Sequence, residues 1–327
     1  LKGIYRLEPG KRYTVTAPIQ VPGGETRRYV ADGPCTIDAT ALVKNQQVWH
    51  VTGGTLEVRG PITVTIPNHV FGVSIRKGGV VIDGGGQQRI TFTGGGQIVE
   101  ALTCQSLLLN RWRYVGRPKK YVAFLGDPMQ TSNPKWGLDG VARNVLVQDG
   151  EALEASHDEA LIRAMFAYGS IVRVKLDNSK QQSPGVHKQA LQLRGSHLYV
   201  EDCDIAASIA VGPLDAAKEL EPYRKVAGVL PHAWVTIARS RIAGYIEVSS
   251  DTSCAIRDCE ITGADPRAAG RGECITRKRN TGREMPTVVV SGTKMRGKPF
   301  ASLHGSGVLG HDRKLLMDIF AKSVSQR

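Results

Sequence analysis

One six-residue pattern recurs down the second half of the chain at unequal intervals, and it constrains the fold more than any other feature. It reads apolar, two mostly polar residues, small, polar, apolar. Copies are Val200-Glu201-Asp202-Cys203-Asp204-Ile205, Ile237-Ala238-Arg239-Ser240-Arg241-Ile242, Ile256-Arg257-Asp258-Cys259-Glu260-Ile261 and Val290-Ser291-Gly292-Thr293-Lys294-Met295, with a looser copy at Val174-Lys175-Leu176-Asp177-Asn178-Ser179. The anchors Val174, Val200, Ile237, Ile256 and Val290 lie 26, 37, 19 and 34 residues apart. That irregularity excludes a propeller or a leucine-rich array. It suits a coil whose turns stack at the ~4.8 Å spacing of paired strands while insertions leave sideways. Apolar or alternating residues precede most copies, so a strand enters a bend whose small residue turns inward. Cys203, Ser240, Cys259 and Thr293 then form a column, with Cys203 and Cys259 two turns apart and out of disulfide reach.

Composition agrees with many short strands. Thirty-seven glycines in 327 residues exceed the usual ~7%, aromatics reach only 6%, and 41% hydrophobic residues suffice for a sizeable core. No stretch approaches the ~18 apolar residues of a membrane span. The six cysteines form no CxxC pair and no zinc-type spacing, which favours buried packing residues.

A second strand reads within several turns: Ala160 to Arg163, Leu191 to Arg194, Ser208 to Val211 and Tyr245 to Val248. With Ile162, Leu193, Val211 and Val248 inward, period two sends Arg163, Arg194 and Glu247 outward. In the first half, Val80-Val81-Ile82 runs into Asp83-Gly84-Gly85-Gly86 and Arg89-Ile90-Thr91-Phe92 into Thr93-Gly94-Gly95-Gly96, two strands closed by glycine bends. Gly3 to Gly10 and Tyr13 to Gly24 alternate like strands entering a stack.

These features together resemble the right-handed parallel β-helix superfamily typified by pectate lyases. The resemblance implies an all-β fold, a single right-handed parallel β-helix over residues 1–310. Residues 311–327 then hold a C-terminal amphipathic helix, spaced by Leu315, Leu316, Ile319, Phe320 and Val324, whose expected duty is to cover an open end of the coil. Gly212 to Pro231 and the basic stretch Gly263 to Pro286 interrupt the pattern and are expected to border one groove.

Forty-three Lys plus Arg against 30 Asp plus Glu leave a net charge of +13. Such a chain attracts polyanions, and the expected partner is an acidic polysaccharide. Nucleic acid fits less well, since the basic residues are not interleaved with aromatics on one sheet. A secreted, periplasmic or cell-surface location follows from that partner.

The densest cluster of reactive residue types is Ser156-His157-Asp158-Glu159 to Arg163, followed about one turn later by His187-Lys188 to Arg194. Aligning Ile162 with Leu193 stacks Arg163 over Arg194, Leu161 over Gln192, Glu159 over Ala190 and His157 over Lys188. Cations so crowded call for an anion among them, or serve as a solvated face with Glu159 as internal partner. β-Elimination at a uronate needs a cation at the carboxylate and a base for the neighbouring proton. Lys188, His157 and His187 are the candidate bases, and Arg163 and Arg194 the candidate neutralisers. Gln192, Tyr245, Glu247 and Arg277 are candidate substrate contacts. The resemblance further implies calcium as a carboxylate neutraliser, with Glu159, Asp158 and Asp177 as its ligands. A hydrolase of the polygalacturonase type would need aspartates converging from neighbouring turns, but Asp202, Asp204 and Asp258 lie in bends and the paired-aspartate signature is absent. A β-helix that grips polysaccharide without cleaving it is the third reading.

Overall fold

Parallel pairing between strands about 20–40 residues apart organises the whole chain. In a computed structural model, residues 3–119, 121–127, 140–153, 160–179, 189–213, 232–263, 274–278, 284–299 and 313–324 are described. The chain is all-β, with long parallel sheets and one short C-terminal helix, an arrangement consistent with a parallel β-helix.

Each coil supplies three strands in turn. The fifth coil, for example, contains Ser106–Asn110, Trp112–Gly116 and Ala123–Leu125, and each of these pairs in parallel with its counterpart in the sixth coil: Ala142–Gln148, Glu151–Ala152 and Ile162–Met165. Among the described residues ten coils carry a strand in all three sheets, and an eleventh begins with Thr287–Ser291 and Lys294–Met295. The third-sheet strands of coils two and three continue unbroken into the next coil's first sheet, as Gln47–Arg59 and Phe71–Asp83.

The core is the stack of inward columns. Val58, Ile82, Leu109, Val147, Ile171, Val200, Ile237, Ile256 and Val290 are paired neighbour to neighbour, and all are fully buried. The bend motif therefore marks the end of the first-sheet strand. Its looser copy is corrected by three residues: Ile171, not Val174, stands on Val200. Val174 takes the place of Cys203 in the column of small residues. In that column the Cys203 N–H donates to Ser240 Oγ at 3.1 Å and the Cys259 N–H to Thr293 Oγ1 at 3.3 Å. All six cysteines are free and buried, and burial pushes the Cys203 and Cys259 thiols up to about 11.

From the fifth coil to the eleventh, the bend between first and second sheets turns on one left-handed residue: Arg111, Asp149, Arg173, Asp202, Arg239, Asp258 and Gly292, with φ between 44° and 58°. A non-glycine residue there costs on the order of 1 kcal/mol. Each of the six donates its N–H to a carbonyl of the next coil, so the bends stack. Their charges alternate in sign. The Arg173 guanidinium holds Asp149 at 2.6 and 2.7 Å, and that of Arg239 holds Asp202 at 2.9 and 3.0 Å. Two residues on, the outward row of the second sheet alternates in the same phase: Arg113, Glu151, Lys175, Asp204, Arg241, Glu260, Lys294, each in register with the next. Odd coils are basic here and even coils acidic, so slipping the stack by one coil would oppose like charges. Arg239→Asp would leave Asp202, Asp258 and Glu201 facing another acid. It is expected to cost about 2 kcal/mol in urea unfolding, less at high salt. Arg239→Gly, which loses the ion pairs but relieves the left-handed strain, should cost less. A reversal as stable as the wild type would remove the ladder's role.

The helix Arg313–Val324 corrects one expectation. It lies across the outer surface of the first sheet, against His197, Tyr199 and Trp234 and the strands that carry them and their neighbours, and not over an end of the stack. Ile319 packs with Ala255 and Val289, the Phe320 ring meets Tyr199 edge-on at 5.3 Å, and Lys322 Nζ sits 4.1 Å from the centre of the Trp234 ring. The sheet offers the helix a small-residue strip flanked by rings, which a coil end does not. Burial lowers the pKa of both His197 and His232 beneath this contact.

Candidate functional site

The bend from first to second sheet stays tight, whereas the chain lengthens at the two corners that border the third sheet. The long connections run from Leu125 to Ala142, Ala152 to Ile162, Leu176 to Gln189, Gly212 to Ala233, Ile261 to Ile275 and Lys278 to Thr287. Both interruptions read from sequence, Gly212 to Pro231 and Gly263 to Pro286, belong to this set, and most of each lies outside the described residues. The outer face of the third sheet is thus the face that insertions flank, and loops on a rigid scaffold are where binding residues gather.

One outward row runs along that face. His50, Ser74, Glu100, Phe124, Arg163, Gln192, Ala210, Glu247 and Thr276 are in register from coil to coil. At its centre Arg163 Nη1 donates to the Tyr121 hydroxyl at 2.5 Å, and the guanidinium lies 5.5 Å from the centre of that ring. Tyr121 stacks on Phe124 with centroids 5.5 Å apart. Gln192, the next residue of the row, has a buried Oε1 with no hydrogen-bond partner among the described residues. A buried acceptor left unmatched is costly, of order 1–3 kcal/mol, unless a donor arrives. Ser74 Oγ donates to Glu100 Oε2 at 3.3 Å, and burial, with Arg76 nearby, lowers the His50 pKa.

The register corrects the stacking expected from sequence. Ile162 pairs with Leu191, so Arg163 stands over Gln192 and Met165 over Arg194; Arg163 does not stand over Arg194, nor Leu161 over Gln192. Leu191 and Leu193 are both buried, so two frames two residues apart each bury an alternating set, and the pairing of Ala164 with Leu193 chooses between them. Glu159 over Ala190 and His157 over Lys188 rested on the same frame. His157, Asp158, Glu159, His187 and Lys188 lie outside the described residues.

Of the remaining candidates, Arg194 shares the face in the adjacent outward row, beside Gly212. Glu247 is in the central row but only 8% exposed, and Tyr245 is buried just ahead of its strand. Arg277 is in register with the inward Val248. The Asp177 carboxylate accepts from the Ser179 N–H at 2.9 Å and its hydroxyl at 2.6 Å, closing a local turn. Among the described residues no three acidic, histidine or cysteine side chains converge, and of the expected calcium ligands only Asp177 lies among those residues. Tyr121, Phe124 and Glu100 were not singled out from sequence. The segment Tyr121-Val122-Ala123-Phe124-Leu125, in a coil whose bend holds a bulky Trp112, carries no period that would mark its two aromatics.

No protein-family model, curated protein or solved structure matches the chain.

Proposed function

We propose that the chain is a right-handed parallel β-helix of the pectate lyase-like kind that binds a uronate-containing polysaccharide along the outer face of the third sheet and cleaves it by β-elimination. The observation that supports this reading best is the row Phe124, Arg163, Gln192 with Tyr121 beside it: a guanidinium on a tyrosine hydroxyl, next to an aromatic face and an unmatched amide oxygen. An aromatic wall suits the C–H face of a sugar, the amide oxygen suits a hydroxyl donor, and Arg163 suits the uronate carboxylate.

In elimination a base takes the proton from the carbon bearing the carboxylate. The electron pair forms a double bond as the glycosidic C–O bond on the adjacent carbon breaks, and the leaving oxygen takes up a proton. Negative charge grows on the carboxylate during this step, and Arg163 stabilises it there. The Tyr121 hydroxyl, held by Arg163, is a proton-transfer group on the same face. Lys188, His157 and His187 are the other candidate bases, with Lys188 directly preceding the strand Gln189–Arg194 in sequence. Arg194 is a second cation for the polymer. An extracellular or cell-surface setting, where such polymers occur, goes with this reading.

The test is a panel of uronans incubated with the protein and followed by the ultraviolet absorbance of the new double bond. Absorbance growing on at least one uronan and on no neutral glucan is the expected result. Retention of the polymer without absorbance would make the protein a binder, and binding a neutral glucan as tightly as any uronan would overturn the choice of an acidic partner.

A further inference from the structure

In the ladders Arg173, Arg239 and their neighbours have acidic partners, whereas some other basic residues, among those described, do not. One concentration of the latter is a cleft at the corner between second and third sheets, lined by Lys44, His69, Lys119, Phe71, Gln97 and the Gly95–Gly96 backbone. These come from coils two to five, brought together by the stack: the Asn45 N–H donates to His69 O at 2.9 Å, and the Lys119 N–H to Gly95 O at 2.9 Å. Among the described residues no carboxylate lines the cleft, and neither lysine makes an ion pair. The floor is packed to the limit glycine allows, since a Cβ on Gly96 would fall 2.3 Å from Ile66 Cγ2 and 2.4 Å from Val70 O.

Two unneutralised ammonium groups and an imidazole beside the half-buried Phe71 ring suit a ligand with an anionic group and an apolar face. A carboxylated sugar has both; a bare inorganic anion would leave the ring unused. Phe71 and Gln97 begin third-sheet strands, so the cleft adjoins the same outer face. It lies two to three coils from Arg163, about 10–14 Å along the stack.

We infer that this cleft is a second carboxylate subsite, holding a uronate unit of the polymer away from the unit at Arg163. The inference rests on the function proposed above. Its role is to fix the chain's register along the face, so it contributes to binding and not to the chemical step.

Calorimetric titration with a uronate hexamer, alongside steady-state kinetics, tests it on the full chain. Lys44→Gln/Lys119→Gln is expected to weaken hexamer binding and raise KM by tenfold or more, leave kcat within about twofold, and reduce the salt dependence of binding. The imidazole resonances of His69 in the wild type should shift on adding the hexamer and stay put with a neutral glucan hexamer. Wild-type affinity and KM in the double variant, or an unmoved His69, would overturn the subsite while leaving cleavage at Arg163 standing. A wild type that binds no uronan would overturn both.

Discussion

Arg163→Ala should reduce turnover on a cleaved uronan by about a hundred- to a thousandfold, the loss typical of deleting one preorganised charge at a developing anion. The residue is the one described cation in the central row of the third-sheet face, paired there with Gln192, and it donates to the Tyr121 hydroxyl. Removing it takes away the carboxylate partner and also frees the tyrosine that it positions. Arg163→Lys retains a charge but not the planar fork, so it should recover only part of the rate. Because the side chain sits outside the buried columns, the folded state should lose only on the order of 1 kcal/mol. The fall should therefore appear in kcat with the melting transition almost unmoved. Full activity in the alanine variant would place the chemistry elsewhere on the protein.

The ease of reading each part of the molecule from sequence follows the strength of its local signal. The bend motif was legible because it couples two physical demands in six residues: an aliphatic anchor for the core and a small side chain beside a left-handed turn. Four copies were found in their true frames. The copy at Leu109 was not, because Trp112 occupies the place of the small residue, and the copy Val147-Gln148-Asp149-Gly150-Glu151-Ala152 fits the pattern but was passed over. The sign alternation of Arg173, Asp202, Arg239 and Asp258 lies within the quoted segments and their flanks, yet its meaning needs the register, which period two leaves open by two residues. That ambiguity is also what displaced Arg194 from Arg163. Tyr121 and Phe124 sit on the three-residue strand Ala123–Leu125 and its approach, too short to show a period, so only the stacking of coils brings them to the arginine. The helix was legible from its spacing, but its seat was not. The small outward residues that receive it, Ala255 and Val289, are spread across separate coils.

The pair Trp112 and Gly150 yields the largest stability effect expected. Trp112 is fully buried, and in the stack it stands directly over Gly150 of the next coil. A Cβ added to Gly150 would fall 1.9 Å from Trp112 Cε2 and 2.0 Å from its Nε1, inside any allowed contact. The indole therefore fills the space that the column's small residues leave elsewhere, and the missing side chain at 150 is what admits it. Trp112→Ala should cost about 3–5 kcal/mol, through lost burial and a cavity that neighbouring coils, fixed by their ladders, cannot collapse. Gly150→Val should cost about 3 kcal/mol by overpacking against the same ring. Combined, the two changes exchange a large-over-small pair for a small-over-large one, and the valine occupies part of the cavity. The double variant should then be more stable than the sum of the single losses by about 1–3 kcal/mol, measured by urea unfolding followed by circular dichroism. Simple additivity would mean that the indole and the glycine do not share this space in solution.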